Sequence, residues 1–334
     1  MTVTAAKKMS TAPQRLRWVG GLAALLLLAA ASLFVGVQDL SVGDLFRGLN
    51  DDQRMLLVVS RIPRTVAVLL AGASLAIAGL LMQLLVRNRY VEPSTVGTTE
   101  SASVGILVMT LFFPGAPVWV KMIMAMIFAL AGTAVFIRII RSLPPKAPVV
   151  AVPLVGIMLA GIISAATTFV AYNNDLLQAL STWMAGDFAG VLQGRYELLW
   201  LLAAVGAVIW LFADRFSVAS LGKDMATSLG LSYQQTVNAG LALVAVASAV
   251  TLVVVGAIPF VGLIIPNLVS MWLGDNLRRN LGWSALCGAG FVLLCDLLAR
   301  TVNFPYEVPV GTISGVLGGV VFLTLLLSGR MPTR

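Results

Sequence analysis

Apolar runs of about sixteen to twenty-four residues follow one another along almost the whole chain, near residues 18–37, 62–85, 94–113, 118–140, 149–172, 197–213, 236–256, 258–273, 281–300 and 309–328. A backbone in hydrocarbon finds no water for its N–H and C=O groups, so each run must satisfy them internally and fold as a helix. With 59% hydrophobic and 11% charged residues, a water-soluble fold is excluded. The expected class is an all-α polytopic membrane protein of about ten transmembrane helices, one transmembrane domain over residues 1–334. An even number of spans puts both termini on one side.

The first run follows Lys7, Lys8, Arg15 and Arg17 and contains Ala29-Ala30-Ala31, as a signal peptide would. Its length suits a retained span, which leaves the N-terminus in the cytosol. That orientation places fifteen of the 22 Lys and Arg residues inside and seven outside, in line with the bias of membrane proteins. The net charge of +8 therefore reflects topology and does not point to nucleic acid.

Several chemistries are missing. The chain has no histidine, and its two cysteines, Cys287 and Cys295, share one apolar run as packing residues. There is no G-x-x-x-x-G-K-[ST] loop, so nucleotide hydrolysis would need another subunit. Asp51-Asp52 is an isolated acidic pair without the second cluster a membrane prenyl-transferring enzyme needs. No metal site is expected.

The longest polar interruption in the C-terminal two thirds is Phe216–Gln235. Ser220 can cap a short helix there and Gly230 can end it in the left-handed region. Leu221, Met225 and Leu229 then share a face. Such a helix either lies on the lipid interface or docks into a cytosolic partner.

In the fifth span Ser164, Thr168 and Tyr172 recur every four residues beside Thr167. This stripe lines a path or hydrogen-bonds to a neighbouring helix. Gly311, Gly315 and Gly319 in the last span let another helix approach, within the subunit or between subunits. Glu100 and Asp296 are intramembrane acids and so suspects for function, although Asp296 has Arg300 four residues on and is better read as structural. Arg61, Arg64 and Arg300 break the positive-inside trend at the outer face.

The segments SRIPRTVAVLLAGASLAIAGLLMQLLVRNRYVEPSTVGT (60–98), SLGKDMATSLGL (220–231), GAIPFVGLIIPNLVSMWLGDNLRR (256–279) and LLCDLLARTVNFPYEVPVGTISGVLGG (293–319) are collinear with the FecCD family of ABC importer permeases. The chain resembles that family end to end, and its RNRYVEPSTVGT, GDFAGVLQGRYELL, GDNL and FPYE segments resemble permeases for catecholate-type siderophores such as petrobactin. The resemblance implies a type II ABC importer permease fold in a bacterial inner membrane. It implies a second FecCD-type permease, commonly a different chain, two cytosolic ATPases that hold the ATP and Mg, and an extracytoplasmic siderophore-binding protein. This chain itself would need no cofactor.

Residue by residue, the resemblance makes 214–235 a cytosolic coupling loop, with Leu221, Gly222, Asp224, Met225, Ala226, Leu229 and Gly230 at the ATPase. Arg61, Arg64 and Arg300 would receive carboxylates of the binding protein. Asn88 and Tyr90 would belong to the cytosolic gate, where many members read Asn-Pro-Leu-Ala and this chain has Asn88-Arg89-Tyr90-Val91. Ser164, Thr167, Thr168 and Tyr172 would line the translocation path. Haem or cobalamin is the alternative cargo within the family. An ion-coupled secondary transporter using Glu100 and Asp296 is the competing class, and a membrane-embedded enzyme the least favoured.

Overall fold

The structure is a computed structural model that describes residues 14–36, 43, 48, 50–144, 151–194 and 196–328. Lys7, Lys8, Arg47, Lys146, Arg195, Arg330, Arg334 and both chain ends, used above for orientation, lie outside the described residues.

Among the described residues all regular structure is helical. The helices are α1 (Gln14–Phe34), α2 (Asp51–Val86), α3 (Thr98–Phe112), α4 (Val118–Ser142), α5 (Ala151–Asn173), α6 (Leu177–Met184), α7 (Trp200–Leu211), α8 (Ala213–Ser220), α9 (Lys223–Ser228), α10 (Tyr233–Val255), α11 (Val261–Leu273), α12 (Leu277–Thr301) and α13 (Val310–Leu327). Seven are long and apolar enough to cross a membrane, and the segment ending in α7 pairs with α8 as a span bent by 61°. With the shorter apolar helices α3 and α11, ten apolar elements match the ten runs of the sequence.

The sequence places Asp51–Arg54 in an outer loop, but the helix begins there. Asn50 and Gln53 close a capping box, with the Asn50 N–H donating to Gln53 Oε1 at 3.1 Å. One π turn, Leu57–Arg61, leads into Pro63. Proline brings no N–H to the ladder, and the wider turn carries the chain past it without ending the helix.

Helices α2 and α10 form the centre and are buried over most of their length, whereas α1 is almost wholly on the outside. Lipid tails are as apolar as leucine, so what draws these helices together is close packing. Two crossings on α2 show it. Gly72 meets Gly288 of α12 backbone to backbone, and Gly79 meets Gly262 of α11, with no room for a Cβ at either.

Between α10 and α11 the chain unwinds through Gly256–Phe260. Inside α11, Pro266 leaves the carbonyl of Gly262 without its helical donor. Gln83 of α2, itself buried, supplies one: its Nε2 donates to Gly262 O at 3.1 Å and to Leu263 O at 3.2 Å. A broken helix at membrane depth is thus repaired by a side chain from the helix it crosses.

Candidate functional site

The polar stretch around 220 forms a short helix, though not with the expected cap. Ser220 ends α8 by donating from Oγ to Ser217 O at 2.7 Å. Gly222 is the residue before α9, and its φ of +115° is a conformation open to glycine and strained for any side chain. A Cβ at 222 would also run into the guanidinium of Arg87. Gly230 closes the far end at φ +78°, as expected, with the Leu231 N–H donating to Ala226 O at 2.9 Å.

Between these glycines Ala226 is turned into the body. Leu221, Met225 and Leu229 are 62%, 55% and 62% exposed. Only Met225 lies within α9; Leu221 belongs to the joint before Gly222 and Leu229 caps the far end, so all three exposed apolar side chains fall within nine residues. Asp224 stands in the first turn of α9, where a carboxylate suits the helix dipole.

Beside this helix runs the loop after α2. Arg87 takes a left-handed conformation, φ +55°, and ends α2. Asn88 is buried and its Oδ1 accepts from the Tyr90 N–H at 2.8 Å. Asn267 of α11 donates through Nδ2 to Arg89 O at 2.9 Å, and Arg89 pairs with Asp275 at 2.7 Å. The segment expected to gate is therefore strapped to the broken helix α11, and Arg87 just before it lies against Gly222 at the start of α9.

Glu92, the next residue of note, was not singled out in the sequence. It is buried and caps two elements. Its Oε1 accepts from Ser94 Oγ at 2.6 Å and from the Phe260 N–H, just ahead of α11, at 3.2 Å. Burial pushes its carboxyl above the ordinary carboxylate range, and these hydrogen bonds pull the other way. Glu92 lines a cavity of about 480 Å³ with Ser94, Glu100, Ser248, Thr251 and the unwound Gly256–Pro259 segment. Oε2 of Glu100 is buried there with no hydrogen-bond partner among the described residues.

The fifth-span stripe divides. Ser164, Thr168 and Tyr172 face outward on α5, while Thr167 is buried and donates to Ile163 O at 2.7 Å. Thr167 lies about 100° round the helix from Thr168 and is turned into the subunit. None of the four lines the cavity at Glu92. Of the glycines in α13, Gly311 and Gly318 are spent on packing inside the subunit, against Ala185, Ala257 and Phe260, and Gly319 meets open space.

Along α2, about 35 Å from Arg87 by the helical rise, the three arginines assigned to the outer face lie in a buried charge cluster. Arg61, Arg64 and Arg300 were expected to stand exposed, and are 5%, 8% and 5% exposed. Asp296 is the reason. It lies wholly buried in α12, and a buried carboxylate requires countercharge. Arg64 donates to its Oδ1 through Nε at 3.1 Å and Nη2 at 2.8 Å, and Arg300 donates to its Oδ2. Nη1 of Arg64 reaches Glu307, at 2.7 Å, in the loop before α13. Arg61 Nη1 donates to Leu33 O at 2.6 Å. Asp296 is thus structural, as its spacing to Arg300 suggests, and is not placed to carry protons alone.

A helical bundle with broken helices at mid-depth, an exposed ridge at one end and a charge cluster at the other defines a multi-pass membrane permease. Residues 24–328 match the FecCD transport family, and the chain belongs to it. Its relatives include the "Petrobactin import system permease protein YclN" of Bacillus subtilis (strain 168), 43% identical over 303 residues that span 91% of this chain and 95% of that protein. The "Ferric-anguibactin transport system permease protein FatD" of Vibrio anguillarum (strain ATCC 68554 / 775) is 42% identical over 302 residues, 90% of this chain and 96% of that one. A solved structure described as an inward-facing metal-chelate type ABC transporter superposes with a TM-score of 0.81 at 25% identity, covering 94% of this chain and 99% of that one.

Proposed function

We propose that this chain is the membrane permease subunit of an ATP-driven importer for iron(III)–siderophore complexes of the catecholate type. The observation that carries the coupling part is the exposure of Leu221, Met225 and Leu229 around α9, a short helix bounded by the positive-φ glycines Gly222 and Gly230. Left in water it would cost apolar exposure; seated in a cleft of a cytosolic ATPase it is buried. Relatives named for petrobactin and ferric-anguibactin import support the cargo over haem or cobalamin.

In this proposal two ATPases hold ATP and Mg, and this chain is not itself catalytic. A second permease, of the same family and different sequence, covers the outward face of α5. Ser164, Thr168 and Tyr172 then line a path of hydroxyls and apolar walls, suited to a bulky anionic chelate that must be released. Asn88 and Tyr90 close it at the cytosolic end.

At the outer end an extracytoplasmic binding protein docks. Three arginines there face two acids, Asp296 and Glu307, and of these only Glu307 is partly exposed. An incoming carboxylate reaches Arg64 by displacing Glu307 from Nη1. The chain sits in a bacterial inner membrane with both termini in the cytosol, and the coupling loop spans 214–235.

The test is uptake of a panel of labelled ferric siderophores by cells carrying the complete transporter, beside haem and cobalamin. ATP-dependent accumulation of a catecholate chelate is expected. Accumulation of haem or cobalamin alone would refute the cargo, and accumulation driven by an ion gradient without ATP would refute the class.

A further inference from the structure

Helices α4 and α10 do not close against each other along their outer side. Between them runs a groove of about 590 Å³, walled by Leu130, Ala134, Val135 and Ala242, with Arg138 and Asn238 at one end. Both helices are apolar spans, so the groove opens onto the membrane. Its floor offers no polar group in need of a partner. Thr133 donates to Ala129 O at 2.8 Å and shares a hydrogen bond with Thr98 Oγ1, and Leu241 is buried beside it. Whatever lies in the groove is therefore apolar along its length.

The end of the groove is different. Arg138 is exposed and, among the described residues, has no hydrogen bond, ion pair or ring contact. Near that end Arg89 is paired with Asp275, Arg278 with Asp214, and Arg215 lies over the Phe212 ring. Asn238 is already engaged, its Oδ1 accepting from Gln234 Nε2 at 2.8 Å. The end in question is the one that bears α9, since α10 follows that helix after four residues. A cation without a partner at the headgroup end of an apolar groove complements one kind of molecule, an anion with an apolar tail.

We propose that this groove is a binding site for an anionic phospholipid, with one acyl chain along Leu130–Ala134–Leu241 and the phosphate on Arg138. An acyl chain fills the groove as apolar side chains would, and the guanidinium meets the phosphate with a bidentate fork. The site lies on two helices that pack against α3, of which α10 leads out of α9, so an ordered lipid there braces the packing of α4 on α10.

The test is native mass spectrometry of the transporter purified from detergent with its partner subunits, titrated with phosphatidylglycerol or phosphatidylcholine. Retention of one phosphatidylglycerol with about fivefold preference is expected, the discrimination one arginine near a headgroup provides. Arg138→Gln should abolish the preference, Arg138→Lys should keep part of it, and Ala242→Trp, which fills the groove, should lower retention of both lipids. Arg215→Gln, at the same end and outside the groove, should change nothing.

Equal retention of the two lipids by the unaltered protein would overturn the proposal, and so would an effect of Arg215→Gln as large as that of Arg138→Gln. Displacement by inorganic phosphate alone would show a simple anion site instead. Retention by the isolated permease and not by the assembled transporter would mean that a protein covers the groove. Normal gel-filtration profiles of every variant exclude misfolding, which is not expected at an exposed arginine.

Discussion

Replacing Asp296 by asparagine removes one charge and almost no volume, at a position with no solvent exposure. Two guanidinium groups then lose their shared countercharge, and one of its two acceptor oxygens becomes an amide donor. Arg64 keeps Glu307, while Arg300 keeps only uncharged acceptors, the carbonyls of Ser32 and Val35. Breaking a buried pair from one side costs about 3–5 kcal/mol, because a desolvated charge is left behind. That is on the order of a hundred- to several-thousandfold in the folding equilibrium.

Glu307 sits in the same network, but its side chain is 26% exposed. Solvent screens its pair with Arg64, so Glu307→Gln should cost only about 0.2–1 kcal/mol. The double change Asp296→Asn with Arg300→Met should recover part of the loss, since it removes the charge that was stranded; coupling between such neighbours runs at about 0.5–3 kcal/mol. Equilibrium unfolding in mixed detergent micelles would read all three. If Asp296→Asn cost less than about 1 kcal/mol, or Glu307→Gln cost as much as Asp296→Asn, burial would not be what orders these charges and the argument would fail.

Met225→Asp should abolish ATP-driven uptake and weaken ATPase binding while the subunit still inserts and is expressed, checked by co-purification; intact uptake would mean that the ridge lies on lipid. Gly222→Ala should impair uptake at least tenfold, through positive-φ strain and the Arg87 clash, and Gly222→Ala with Arg87→Ala should regain part of it, measured as transport per ATP hydrolysed. Cysteines at 164 and 168 should react with a water-soluble thiol reagent at rates that substrate or nucleotide alters, whereas a cysteine at 167 should stay protected; equal rates at all three would refute the division of the stripe. Gln83→Leu should destabilise the protein by about 1–3 kcal/mol, the cost of leaving the Gly262 carbonyl unsatisfied, read by thermal unfolding.

The helical class and the ten apolar elements were legible in the sequence because each depends on local pattern. A run of apolar residues in hydrocarbon has one way to satisfy its backbone. Even so, the start of α9 lies two residues beyond the expected cap, because Ser220 is still part of α8 and Gly222 takes the turn between the two helices.

What the tertiary structure decided was the partner of each isolated polar group. Arg64 and Asp296 are far apart in sequence, and nothing local says that α2 and α12 cross at two glycines and bring them together. Gln83 and Glu92 carry no pattern at all; their meaning comes from Pro266 and Phe260, which leave backbone groups open on another helix. Thr167 is indistinguishable from Thr168 as a residue type, and only the packing of α5 turns one inward and the other out. Periodicity reports which side of an element is apolar. Which neighbour that side meets is set by close packing and by the high cost of an unpaired charge or carbonyl in a medium without water.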